Sequence, residues 1–106
     1  MKKYTIGIDY GSLSGRILLV DVENGEEILC LEVDYAHGVM DQFLPDGVTK
    51  LPPETALQDP QDYLDVLKAI PSALKEAGIT KEQVIGIGVD FTSCTVLPID
   101  KEGNPL

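Results

Sequence analysis

The sequence predicts a mixed α/β fold with its elements in the order β-β-β-α-β-β: an antiparallel meander, then a helix, then further strands. Three observations carry this. Apolar runs of strand length occupy 4–9, 16–22 and 27–35, joined by short turns rich in Gly, Ser and Asn. Apolar residues at helical spacing follow between 60 and 78. Strand-like runs then return over 84–89 and 95–99.

The first strand, 4–9, ends on Asp9. A turn of Gly11-Ser12-Leu13-Ser14-Gly15 leads straight into the second run, so the pair reads as a β-hairpin. Asn24-Gly25 marks the next turn, because both residues accept the positive φ of tight hairpins. In the third strand Ile28, Cys30 and Glu32 fall on one side, and Leu29, Leu31 and Val33 on the other. Cys30 there reads as core packing. The segment 37–59 holds Gly38, Pro45, Gly47, Pro52 and Pro53 and predicts a long loop, of a length usually kept for functional or mobile segments. His37 reads as a solvated member of it.

Asp59-Pro60 opens the helix, since a carboxylate caps free N–H groups and proline suits the first turn. Tyr63, Leu64, Leu67, Ile70 and Leu74 form its apolar spacing, and Gly78 ends it. Pro71 predicts a kink or a break. Thr80-Lys81-Glu82-Gln83 has the capping-box pattern of a short helical turn. The run 84–89, with Gly86 and Gly88, predicts a strand buried on both faces. The run 95–99 predicts a last strand whose pairing Pro98 limits. The residues 101–104 turn the chain again.

Composition narrows the function classes. The chain has 106 residues, enough for one small domain, with 43% hydrophobic and 25% charged residues. A net charge of -10 argues against a nucleic-acid surface and against an anionic membrane. No run approaches the roughly 18 apolar residues of a membrane span. The start, Met1-Lys2-Lys3-Tyr4, does not read as a signal peptide, so the expected compartment is the cytoplasm, with Cys30 and Cys94 reduced. Two cysteines and one histidine without metal-ligand spacing argue against a zinc site.

The first hairpin holds the chemistry. Glycines let backbone N–H groups approach an anion, Ser12 and Ser14 add hydroxyl donors, and Arg16 adds a planar cationic fork. Asp9 beside such a turn makes sense if a divalent metal ion stands between its carboxylate and a phosphate. Ordinary hairpin chemistry accounts for the same residues, with Asp9 capping the turn and Arg16 in a surface salt bridge. The turn is not a Walker A loop, since no Gly-Lys-[Ser/Thr] closes it. Nor is it a dinucleotide fingerprint, since a strand rather than a helix follows. The carboxylates Glu26, Glu27, Asp62 and Asp65 read as a solvated face.

Three blocks in order carry a resemblance. They are Gly7-Ile8-Asp9-Tyr10-Gly11-Ser12-Leu13-Ser14-Gly15-Arg16, then Ala56-Leu57-Gln58-Asp59-Pro60-Gln61-Asp62-Tyr63, then Ile85-Gly86-Ile87-Gly88-Val89-Asp90 with Asp100-Lys101-Glu102-Gly103-Asn104-Pro105-Leu106 behind it. Together they resemble the opening of the FGGY family of carbohydrate kinases, and most closely its bacterial ribulokinase branch. The resemblance implies a partial ribonuclease H-like (actin-like ATPase) fold, with 1–106 as the N-terminal part of the first kinase domain. It departs from the glycerol kinase branch, where the Arg and Glu of a Gln-Arg-Glu run hold the polyol hydroxyls; here Thr92-Ser93-Cys94 stands in those positions, which argues against glycerol.

The resemblance also implies roles. ATP and Mg2+ are the expected cofactors, with Asp9 positioning the metal and Gly11, Ser12, Ser14 and Arg16 holding the phosphate end. A ketopentose such as L-ribulose is the expected acceptor, near Asp90, Thr92, Ser93 and Cys94. Asp90 reads equally as a turn cap. Cys94 has no histidine placed to make it a nucleophile. The general base and the adenine pocket are expected elsewhere in a longer kinase chain, so these 106 residues by themselves are expected to be inactive. The alternatives are a xylulokinase or other FGGY kinase, a non-catalytic actin-like nucleotide-binding or interaction module, and a structural fragment that self-associates through uncovered surface.

Overall fold

A computed structural model describes residues 1–92 and 96–106. Among the described residues six strands and two α-helices follow in order: β1 (Tyr4–Tyr10), β2 (Ser14–Asp21), β3 (Glu27–Asp34), β4 (Val39–Met40), β5 (Leu57–Gln58), α1 (Pro60–Lys68), α2 (Ile70–Ala77) and β6 (Val84–Phe91). A four-stranded sheet takes the order β3-β2-β1-β6. The first three strands form the antiparallel meander, and β6 joins β1 in parallel.

Period-2 alternation assigns the faces of the sheet. Tyr4, Ile6 and Ile8 of β1 and Ile17 and Leu19 of β2 are buried on one face, with Leu29, Leu31 and Val33 of β3 beside them. The helices cover this face, α1 over β2 and α2 over β3, and contribute the fully buried Val66 and Ala73. Cβ atoms at Gly15 would lie 2.7 and 2.9 Å from the two Val66 methyl carbons, so the missing side chain is what lets α1 approach β2.

The turns behave as their chemistry predicts. Gly25 takes φ +75° between β2 and β3, and the Glu26 amide donates to Asn24 Oδ1 at 2.9 Å. Asp59 Oδ1 accepts the Gln61 amide at 3.0 Å and caps α1. The predicted break occurs at Ala69, two residues before Pro71, whose absent N–H a continuous helix would need. Gly78 closes α2 with φ +71°. At the turn over Lys81–Gln83, the Thr80 amide donates to Gln83 Oε1 at 3.0 Å.

Four expectations need correction. Within α1 the buried positions are Asp62 and Val66, while Leu64 and Leu67 are 51% and 40% exposed, because the helix turns Val66 rather than the leucines to the sheet. The segment 37–59 is not all loop: β4 and β5 pair antiparallel, and Phe43 bridges Lys50. The run 84–89 is a strand but is not buried on both faces. It lies at the sheet edge, and although Val84 packs against the core, Ile85, Ile87, Val89 and Phe91 are all more than half exposed. Finally, 96–98 forms no strand. Pro98 offers no N–H, and the nearest pairing is one bridge from Ile99 to Pro105 around the Asp100-capped turn. Thr95, the first residue of that expected strand, lies outside the described residues.

No helix among the described residues is long and apolar enough to cross a membrane.

Candidate functional site

The face of the sheet opposite the helices carries the candidate site. Register places Asp9 beside Arg16 on β2 and beside Asp90 on β6, and Arg16 beside Glu32 on β3. A row of Cys30, Leu18, Gly7 and Gly88 runs next to it. Because Gly7 and Gly88 lack side chains, the floor there is backbone, and an open cleft of about 370 Å³ forms, lined by Asp9, Arg16, Cys30 and Asp90 among others.

Arg16 Nη1 lies 3.3 Å from Asp9 Oδ2, with the two side chains 44% and 52% exposed. At that exposure the pair contributes little to stability, at most about 1 kcal/mol. Its consequence is orientation: one carboxylate oxygen of Asp9 is held and the group stays at the cleft.

The hairpin tip has a defined backbone. The Gly11 amide donates to Ser14 O at 2.9 Å, so it closes the turn. A Cβ on Gly11 would sit 3.0 Å from that same carbonyl oxygen, which makes glycine the fitting residue. The amides of Ser12 and Leu13 donate to nothing among the described residues, and both residues are exposed. Ser14 is buried, so Ser12 carries the accessible hydroxyl of the two.

A trio of tyrosines, which the sequence does not signal, ties this tip to α1. The Tyr63 ring meets Tyr10 edge-on at 5.1 Å between centroids and Tyr35 at 5.4 Å. Tyr10 donates to Tyr63 O at 2.9 Å, and Tyr35 donates to Gly11 O at 2.7 Å. Burial, followed by the neighbouring Tyr63, Tyr10, Asp62 and Asp9, pushes the Tyr35 hydroxyl up to about 12. Burial and Tyr63 also raise Tyr10. The three tyrosines come from distant parts of the chain, and no local spacing links them.

Placed together, then, are Asp9, Gly11, Ser12, Ser14 and Arg16, with Asp90 on the adjoining strand. Thr92 is half-buried just beyond β6, while Ser93 and Cys94 lie outside the described residues. Cys30, expected in the core, is instead exposed on the cleft wall, because β3 turns its other side to the helices. Asp62, expected on a solvated face, is buried, and His37 pairs with it and with Asp59. An acid in the first turn of a capped helix was the available signal for Asp62. An open face with a carboxylate, a guanidinium and unpaired amides at one end suits an anion held together with a metal ion.

Over its whole length the chain is 61% identical to a protein named ribulokinase from Shouchella clausii, of which it covers 19%. It is 54% identical over 98% of the chain to a ribulokinase from Halalkalibacterium halodurans, and 48% identical over 98% to one from Mycolicibacterium smegmatis. The chain spans about one fifth of the length of these curated relatives. No family model matches it.

Proposed function

We propose, from homology to the ribulokinases along the whole chain, that these residues are the opening part of an ATP-dependent ribulokinase, which transfers the γ-phosphate to a hydroxyl of L-ribulose. The observation that carries the proposal is 61% identity without loss of coverage, in a segment that includes the entire hairpin and both strands bearing the candidate acids. In this reading 1–106 begins the first domain of a ribonuclease H-like kinase fold, and the protein works in the cytoplasm. The order β3-β2-β1-β6, with β6 parallel to the meander's inner strand, is compatible with that fold.

Phosphoryl transfer asks a protein chiefly for positioning and for charge stabilisation. The donor set fits. Asp9 offers a hard oxygen to Mg2+ at an open cleft, and the metal when bound would offset charge on the phosphates. The Ser12 and Leu13 amides and the Ser12 hydroxyl would donate to the γ-phosphate end. Gly11 and Ser14 would hold the turn that presents them. Arg16 would orient Asp9 and offset anionic charge. Asp90, Thr92, Ser93 and Cys94 would adjoin the sugar. The general base would come from the remainder of the kinase, so the 106-residue chain alone would show no sugar-dependent ATP turnover.

The test is ATP consumption by the full-length protein with L-ribulose, xylulose and glycerol, beside Asp9→Asn. Turnover with L-ribulose that falls by about 10²-fold or more in the variant is expected. Absence of turnover with every sugar would overturn the kinase reading. Equal turnover in the variant would remove Asp9 from the machinery.

A further inference from the structure

Away from the hairpin cleft, three metal-ligating side chains converge. His37 comes from the segment after β3, Asp59 caps α1, and Asp62 lies in the first turn of α1. One ligand atom from each lies within 4.8 Å of the others. His37 Nδ1 stands 2.9 Å from Asp59 Oδ2 and 3.3 Å from Asp62 Oδ1.

Each carboxylate commits one oxygen to the backbone. Asp59 Oδ1 accepts the Gln61 amide, and Asp62 Oδ2 accepts the amides of His37 and Gly38 at 3.2 and 3.1 Å. These bonds aim the remaining oxygen of each acid at the imidazole, as outer hydrogen bonds aim the ligands of a metal site. The second observation is Asp62 Oδ1 itself. Its side chain is 3% exposed, and this oxygen accepts no hydrogen bond among the described residues. Buried carboxylate oxygens are ordinarily satisfied, so the atom points to a partner.

A protonated His37 does not fully answer it. Nδ1 carries one hydrogen, and at 2.9 Å that hydrogen serves Asp59. A cation bound at about 2.0–2.1 Å from each of four ligands keeps those ligands about 3.3 Å apart. The separations of 2.9 and 3.3 Å from His37 are close to that spacing, and all three ligand atoms lie within 4.8 Å of one another. Two carboxylates and a neutral imidazole also neutralise a dication.

We propose that His37, Asp59 and Asp62 bind one divalent transition cation of the Zn2+ type, with water completing its coordination. Imidazole with carboxylates favours such a cation over Mg2+, which takes oxygen ligands and keeps its waters. The bound ion clips the segment after β3 to the start of α1.

The full-length protein that carries this chain, stripped of metal and then held in excess Mg2+, is titrated with Zn2+ alone by calorimetry. Visible absorption on adding Co2+ gives a second readout. The wild type is expected to take up one more Zn2+ per chain than His37→Gln, or to bind it at least tenfold more tightly. Asp59→Asn provides an independent comparison, because Asn caps a helix as well as Asp and the fold is kept. Equal Zn2+ uptake and equal Co2+ spectra in wild type and either folded variant would overturn the proposal, leaving a His37–Asp59 ion pair only.

Discussion

Gly15 is the point of closest approach between the sheet and the helix layer. An alanine there would place its Cβ against both Val66 methyl groups. Gly15→Ala is therefore expected to lower unfolding stability by about 1–3 kcal/mol through overpacking. Val66→Ala in the same chain should recover part of that loss, and a urea-denaturation double-mutant cycle reads the coupling. Independent, additive effects of the two changes would show that the layers do not meet there. Other single residues depart from the sequence expectation for a related reason. Cys30 and Asp62 each have a polarity that suits surface or core, and only the facing element decides. Asp62 is buried because its Oδ2 collects two backbone amides from the segment after β3.

At the scale of elements, the hairpin tip depends on α1 and β3 as much as on its own turn. Tyr35 supplies the bond to Gly11 O, and its hydroxyl is raised to about 12 in the folded chain against an ordinary value of 10.0. A raised value means that the folded state holds the proton more tightly. The stabilisation is full below pH 10 and is lost as pH rises from 10 towards 12. Tyr10, raised in the same direction, adds to the loss. Stability measured by denaturant titration should fall across that window, and Tyr35→Phe should flatten the fall while costing about 1 kcal/mol below it. An unchanged slope in Tyr35→Phe would remove Tyr35 as the titrating group. The helices show the same dependence on local chemistry: Pro71 divides what apolar spacing alone presents as one helix.

For the molecule as a whole, the unpartnered side of β6 is the dominant feature. Ile85, Ile87, Val89 and Phe91 line one side of an edge strand and are left more than half exposed. Exposed apolar edges of this kind pair with other chains. The isolated 106-residue chain is expected to self-associate, and Ile87→Lys to reduce that association. Light scattering across a concentration series checks this, and a monomer at every concentration would oppose it. In the proposed kinase, the rest of the chain would cover this strip.

The local chemistry of the chain was largely legible before any coordinates. Turn residues, helix caps and period-2 alternation act over a few neighbours, so the meander, the Asn24-Gly25 turn, the capped start of α1 and the break before Pro71 could all be read directly. The hairpin residues Asp9, Gly11, Ser12, Ser14 and Arg16 stood out for the same reason, since they are close in sequence. What the residues alone left open was which surface each element meets. The edge position of β6, the exposure of Cys30, the tyrosine brace and the His37–Asp59–Asp62 cluster join segments far apart in the chain. Burial and ligand geometry are properties of those long-range meetings, and packing one layer on another is what creates them.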